Sequence, residues 1–228
     1  MHARNFLGKW NGYLMVDDYA GYNALFGPAL TELGCMAHAR RKFFDLHAEQ
    51  PRPVTEQALT WFAKLYEGER EWQDLSVEER ARKRQEWTVP LLEKFHHWLL
   101  QQRKTAAPGS GLSKALDYTL KRWEALARYA TQGNLPMDNN RIENAIRPIA
   151  IGKKNWLFAG SALAGVRAAS IQTLLGTARM NGLEPYQWLK ETLEKLPTWP
   201  NSRLNELLPL VRSEKVTVTQ PQAGVISP

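Results

Sequence analysis

An α/β fold carried mostly by helices is what this sequence predicts, and three features predict it. A short apolar run inside GYLMVDDYAGY, Tyr13 to Val16, ends abruptly at Asp17 and Asp18 and reads as a buried strand. From Val54 to Gly133 the apolar spacing is helical throughout, with Leu59, Phe62, Ala63 and Tyr66 falling on one face. The 228 residues are 43% apolar and include nine tryptophans, ample for a core.

The elements follow in chain order. After the first strand, Cys35 to Ala37 is read as a second, leading into a basic helix at AHARRKFFDLH. Beyond the helix that starts near Val54, a second helical run covers about Val77 to Lys104. Pro108, Gly109 and Gly111 break it before a third run, about Leu112 to Gln132, which Gly133 stops. EERARKR, residues 78–84, reads as a solvated charged face, because mixed-sign charge is ordinary helix surface. Ser161 caps a helix running to about Asn181, closed by Gly182. Pro185 opens another that reaches about Leu196 before Pro197. From about Ser213 the pattern lapses and a disordered tail is expected.

Charge and composition narrow the function classes. A formal charge of +7 and a pI near 9.5 suit a polyanionic partner, since clustered Lys and Arg release counterions from a nucleic-acid backbone. The lone Cys35 excludes an internal disulfide and fits a reducing cytoplasm. No apolar run has the length of a membrane span, so no membrane partner is expected.

Two carboxylates are candidates for chemistry. Asp17 stands at the carboxyl end of the predicted strand, where open α/β sheets place ligands; the alternative is a turn residue. Alternation along a strand sends Asp17 and Asp18 to opposite sides, so one of them at most is a ligand. Glu143 lies in NNRIENAIRPIAIGKKNWLFAGS among several bases. It is either the third residue of a helix capped by Asn140, paired with Arg147, or a metal ligand beside a phosphate-binding surface. Cys35 and His38 have half the spacing of a zinc site with no second pair to complete it. His96 and His97 are adjacent and cannot share one ligand position on a helix. No nucleophilic triad or phosphate-cradling glycine loop is found.

GYLMVDDYAGYNALF, GCMAHARRKFFD, DNNRIENAIRPIAIGKKNWLFAGS and GLEPYQWLKETLEKLP together resemble, in order, the insertion-sequence-66 family of bacterial transposases. The resemblance implies an RNase H-like catalytic domain with an Asp, Asp, Glu triad binding two Mg²⁺ (or Mn²⁺) ions. By it, Asp17 is the second Asp, in a Leu-x-x-Asp-x-Tyr context, and Glu143 the final Glu, in Asn-x-x-Glu-x-x-x-Arg-Pro. The long separation between them fits a helical insertion. The implied reaction is hydrolysis of a phosphodiester at the transposon end, then attack of the freed 3′-hydroxyl on target DNA. Arg147, Lys153 and Lys154 would contact phosphates, with His38, Arg40 and Arg41 on the same face, and Trp156 would stack on an unpaired base or pack internally.

Residues 1–16 contain no Asp or Glu, so the family's first acid has no counterpart here. Asp18 stands where the family usually has Gly, and Asn144 where it often has Arg. The expectation is therefore an incomplete RNase H-like fold, α/β and mostly helical, with a large helical insertion. Residues 1–50 would begin the retained core and 51–135 form the insertion. Residues 136–181 would carry the catalytic-Glu helix and the next helix, 182–212 a C-terminal helical element, and 213–228 the tail. The implied partners are DNA, both transposon ends and target, and a homo-oligomer or an intact transposase. The implied place is the bacterial cytoplasm, on the nucleoid. Three readings stand: a truncated transposase that does not cut alone, a non-catalytic DNA-binding or regulatory remnant, and a pseudogene product.

Overall fold

The computed structural model describes residues 2–152, 155 and 158–210. Lys153, Lys154, Trp156 and the expected tail lie outside the described residues. The chain divides into two compact units, Met1–Ile142 and Glu143–Pro228.

The first unit opens with α1 (His2–Leu7) and β1 (Gly12–Val16). A 3₁₀ segment, Ala20–Leu25, then leads to β2 (Leu30–Gly34). The strands pair in parallel, Gly12 opposite Leu30 and Val16 opposite Gly34. Mostly helical α/β is therefore correct. The second strand is not where the sequence placed it. Thr31 and Glu32 interrupt the apolar character of LTELG and disguise a strand, while Cys35 is the residue that precedes helix α2 (Met36–Glu49).

Helices α3 (Pro53–Glu71), α4 (Val77–Lys83) and α5 (Val89–Thr105) follow. Between α4 and α5 the helix widens into a π turn at Arg84–Thr88. Next come α6 (Gly111–Lys121) and α7 (Trp123–Ala127), separated at Arg122, and a 3₁₀ turn, Arg128–Thr131. One core joins these elements. Phe43 of α2, Phe62 of α3 and Phe95 of α5 are all fully buried, with ring centroids 5.9 Å apart for Phe43 and Phe62 and 5.1 Å for Phe62 and Phe95. Such offset and edge-on pairs add to the burial of their area. The buried stripe of α3 is Thr55, Ala58, Phe62, Leu65 and Gly68. Leu59 and Tyr66 pack against it from its margin, and Ala63 is exposed rather than buried.

EERARKR is not simply a solvated face. Arg84 is 1% exposed. Its guanidinium meets both carboxylate oxygens of Glu69, at 2.9 and 2.6 Å, and donates to the carbonyl oxygens of Tyr129, at 2.8 Å, and Gln132. Arg80 donates to the carbonyl of Trp72 at 3.1 Å. The charge pattern of a helix surface thus hides a buried clamp that ties α3 and α4 to the chain after α7.

Helix α8 (Asn140–Gly152) crosses from the first unit into the second. The second unit continues with α9 (Ala162–Met180), capped by the Ser161 hydroxyl, which accepts from the Ala164 amide at 3.1 Å, and α10 (Pro185–Lys195). Gly182 has a φ of 74° and closes α9, as its place in the sequence predicts. No helix of the described residues is long and apolar enough to cross a membrane.

Candidate nucleic-acid and metal site

A parallel pair brings the carboxyl ends of its strands together, so Asp17, after β1, and the start of α2, after β2, stand at the same end of the sheet. Asp17 is exposed, and its Oδ1 accepts from the Tyr19 amide at 3.3 Å. The turn role weighed for it is thus present in the structure, on a side chain that also faces solvent. The Tyr118 hydroxyl donates to the Asp17 carbonyl at 3.3 Å; burial pushes that phenol up to about 12, so it stays a donor.

Asp18 takes other partners. Its backbone has a φ of 83°, in the left-handed region, and its carboxylate pairs with Arg122, a nearly buried residue whose other nitrogen meets Glu32 at 2.5 Å. Strand alternation does not separate Asp17 from Asp18, because the strand ends at Val16; the left-handed turn does. Asp18 is held in a structural ion pair.

The α2 candidates separate. Arg40 and Arg41 line a groove together with Ala37 and Phe44 of α2, Ala63, Tyr66 and Arg70 of α3, and Asn140. His38 does not line it; the residue is half-buried and its Nδ1 is buried without a partner. The shared face expected for His38, Arg40 and Arg41 is therefore reduced to the two arginines, because His38 turns toward the protein. Cys35 is a buried thiol that donates to the Asn139 side-chain oxygen at 3.0 Å. Burial raises its pKa, which makes it a structural donor rather than a metal ligand.

The segment before Glu143 is fixed from two sides. Besides the Cys35 contact, the Met36 amide donates to the Met137 carbonyl at 3.1 Å. The Tyr66 hydroxyl donates to Asp138 Oδ2 at 2.7 Å, and Asp138 Oδ1 accepts the Asn140 amide at 3.0 Å. Asp138 thus holds the start of α8. Asn140 is already the first helical residue, so a capping box running from Asn140 to Glu143 is off by one position. Glu143 and Arg147 are both exposed on α8. Asp17 belongs to one compact unit and Glu143 opens the other.

Among the described residues no group of three or more His, Cys, Asp or Glu side chains gathers as a metal site. The chemistry of the two candidate acids nevertheless suits a hard divalent cation, since both are carboxylates on exposed residues. Sequence reasoning missed Tyr66 and Arg70 as parts of this region. The i, i+3, i+7 spacing of Ala63, Tyr66 and Arg70 was the available signal, but Ala63 and Tyr66 were counted as core.

Residues 1–167 match the Transposase IS66 family, and residues 173–210 match the IS66 C-terminal element. The chain belongs to the IS66 family of transposases. Among curated proteins it is 36% identical over 225 residues to the uncharacterized protein y4hP of Sinorhizobium fredii, covering 91% of this chain and 41% of that one. The uncharacterized protein y4qI of the same organism is 36% identical over 217 residues, covering 91% and 40%. YjgZ of Escherichia coli, also uncharacterized, shares 61% identity over 28 residues, 12% of this chain and 26% of its own length. The chain spans about two-fifths of the length of the Sinorhizobium relatives. No solved structure matches it.

Proposed function

We propose that this IS66 transposase chain supplies Asp17 and Glu143 to a metal-dependent centre that cleaves DNA at transposon ends and joins it to target DNA, within an RNase H-like fold. The observation that carries the reading is the family match over residues 1–167 combined with Asp17 exposed immediately beyond β1, at the carboxyl end of a parallel pair. Mg²⁺ or Mn²⁺ held by the two carboxylates would activate the attacking water or 3′-hydroxyl and neutralise charge on the phosphoryl group. Arg147, Lys153 and Lys154 would contact phosphates, Arg40 and Arg41 are further phosphate contacts in the first unit, and Trp156 either stacks on an unpaired base or packs internally. The Tyr19 amide bonds the Asp17 carboxylate, and the Asp138 network fixes the chain just before Glu143. A second reading is DNA binding or regulation of an intact transposase without cutting, which the formal charge of +7 supports by itself.

Calorimetric titration of Mn²⁺ into the purified chain, compared with Asp17→Asn and Glu143→Gln, tests the proposal. Binding in the parent and its loss in both variants is the expected result. A folded parent that takes up no metal would remove the catalytic reading and leave the second.

A further inference from the structure

We propose that the groove between α2 and α3 is a DNA-phosphate site, and that the helical segment between the two candidate acids contributes to it directly through Arg70. The proposal rests on the transposase reading and extends it to a residue outside the resembling motifs.

Helical spacing builds the groove. Ala37, Arg40, Arg41 and Phe44 repeat at three and four positions along α2, and Ala63, Tyr66 and Arg70 do the same along α3. The two alanines leave room between the packed helices, and the arginines stand over that room. The resulting groove has a volume of about 530 Å³. Arg40 lies 5.4 Å from the Phe44 ring centroid, a contact that steadies its guanidinium.

The groove arginines lack ion-pair partners among the described residues. Arg84, Arg103, Arg122 and Arg203 each pair with a carboxylate, whereas Arg40, Arg41 and Arg70 form no ion pair among the described residues. No Asp or Glu lines the groove. Asp138 stands behind it, and both its oxygens are engaged, one by Tyr66 and the Asn140 side chain, the other by the Asn140 amide. Those bonds fix Tyr66 and Asn140 as a polar wall before any ligand arrives. Three guanidiniums over a preformed polar wall suit the tetrahedral oxygens of a phosphodiester, to which guanidinium donates in a planar fork. A DNA strand presents such groups at a regular repeat, and the chain as a whole carries a charge of +7.

The test is fluorescence anisotropy of a labelled mixed-sequence DNA duplex titrated with the full chain across a NaCl series, for the parent, Arg70→Ala, Arg70→Lys and Arg103→Ala. Arg70 is exposed, so its replacement leaves the core intact, which circular dichroism verifies. Arg70→Ala is expected to weaken binding roughly tenfold and to reduce the slope of log K against log salt by about one. Arg70→Lys should keep the slope and lose part of the affinity, because it retains a point charge without the fork. Arg103→Ala removes the same formal charge from a residue paired with Asp117, and should leave the slope unchanged. If Arg70→Ala binds with the parent's affinity and slope, or Arg103→Ala loses as much as Arg70→Ala, the groove is not a phosphate site, although the transposase reading survives. A parent without salt-dependent DNA binding overturns both.

Discussion

At Asp18 the side chain and the backbone favour different residues. The left-handed φ of 83° suits glycine, which is what the family resemblance puts at this position, while the carboxylate is needed to pair with the nearly buried Arg122. Two substitutions separate the terms. Asp18→Ala loses the ion pair and keeps a Cβ in the left-handed region, whereas Asp18→Gly loses the same pair and relieves the backbone. Asp18→Gly should therefore be the more stable of the two by about 1 kcal/mol in urea unfolding; equal midpoints would show that the turn carries no strain. Arg84 poses a different problem, since nothing in EERARKR distinguishes it from its solvated neighbours. Removing it leaves Glu69 and two carbonyl oxygens without their buried donor, so Arg84→Ala should cost about 3–5 kcal/mol. A loss typical of a surface arginine, under about 1 kcal/mol, would mean that water replaces the clamp.

Elements were legible where periodicity was long and illegible where it was short or interrupted. The helices from α3 to α6 and from α9 to α10 follow from apolar spacing and from Ser161, Gly182 and Pro185. β2 did not, because Thr31 and Glu32 break its apolar run and parallel pairing is a long-range fact. The π turn at Arg84–Thr88 is equally invisible, since it depends on where Arg84 must reach. Gly133 reads from sequence as a helix stop, but its stronger requirement is tertiary. A Cβ there would lie 1.9 Å from the Val77 carbonyl oxygen, which is backbone and cannot rotate away. Gly133→Ala should cost at least about 1–3 kcal/mol in thermal or urea unfolding, the usual range for overpacking. A second prediction concerns α5 and α7, where the His96 ring stacks on Trp123 at a centroid distance of 4.7 Å and an interplanar angle of 9°. Burial lowers the imidazole pKa below its ordinary 6.5, so the unfolded chain holds the proton more tightly than the folded one. Stability from this site is thus complete above pH 6.5 and is lost as pH falls through 6.5 toward the depressed value. The melting temperature of His96→Phe should decline less than the parent's over that window, and parallel curves would assign the pH dependence to other groups.

At the scale of the whole molecule, burial is distributed very unevenly between the two units. Apart from Ala178 and Pro209, every buried apolar residue among those described lies between Val16 and Met137. Ile142, Ile146 and Ile149, spaced as one stripe on α8, remain exposed, as do Leu163, Val166 and Ile171 on α9. This asymmetry bears on how much of the site was readable. The sequence motifs name both candidate acids and the candidate bases around Glu143, because each motif is a short contiguous stretch of the chain. The Tyr66, Asp138 and Asn140 wall was not readable, because it joins residues far apart in sequence through hydrogen bonds that no local pattern encodes. Native-state hydrogen exchange follows from the same asymmetry. Opening free energies scale with the apolar contacts that an element must break, so the slowest amides should fall in α2, α3 and α5, around Phe43, Phe62 and Phe95, with α9 and α10 exchanging through local opening well below the global limit. Protection of α9 equal to that of α2 would mean that its exposed apolar face is covered in solution, and an extended apolar face of that kind is the usual mark of an interaction surface. Repeating the exchange over a range of protein concentrations then separates cover by a second copy of the chain, which strengthens with concentration, from cover within one molecule, which does not.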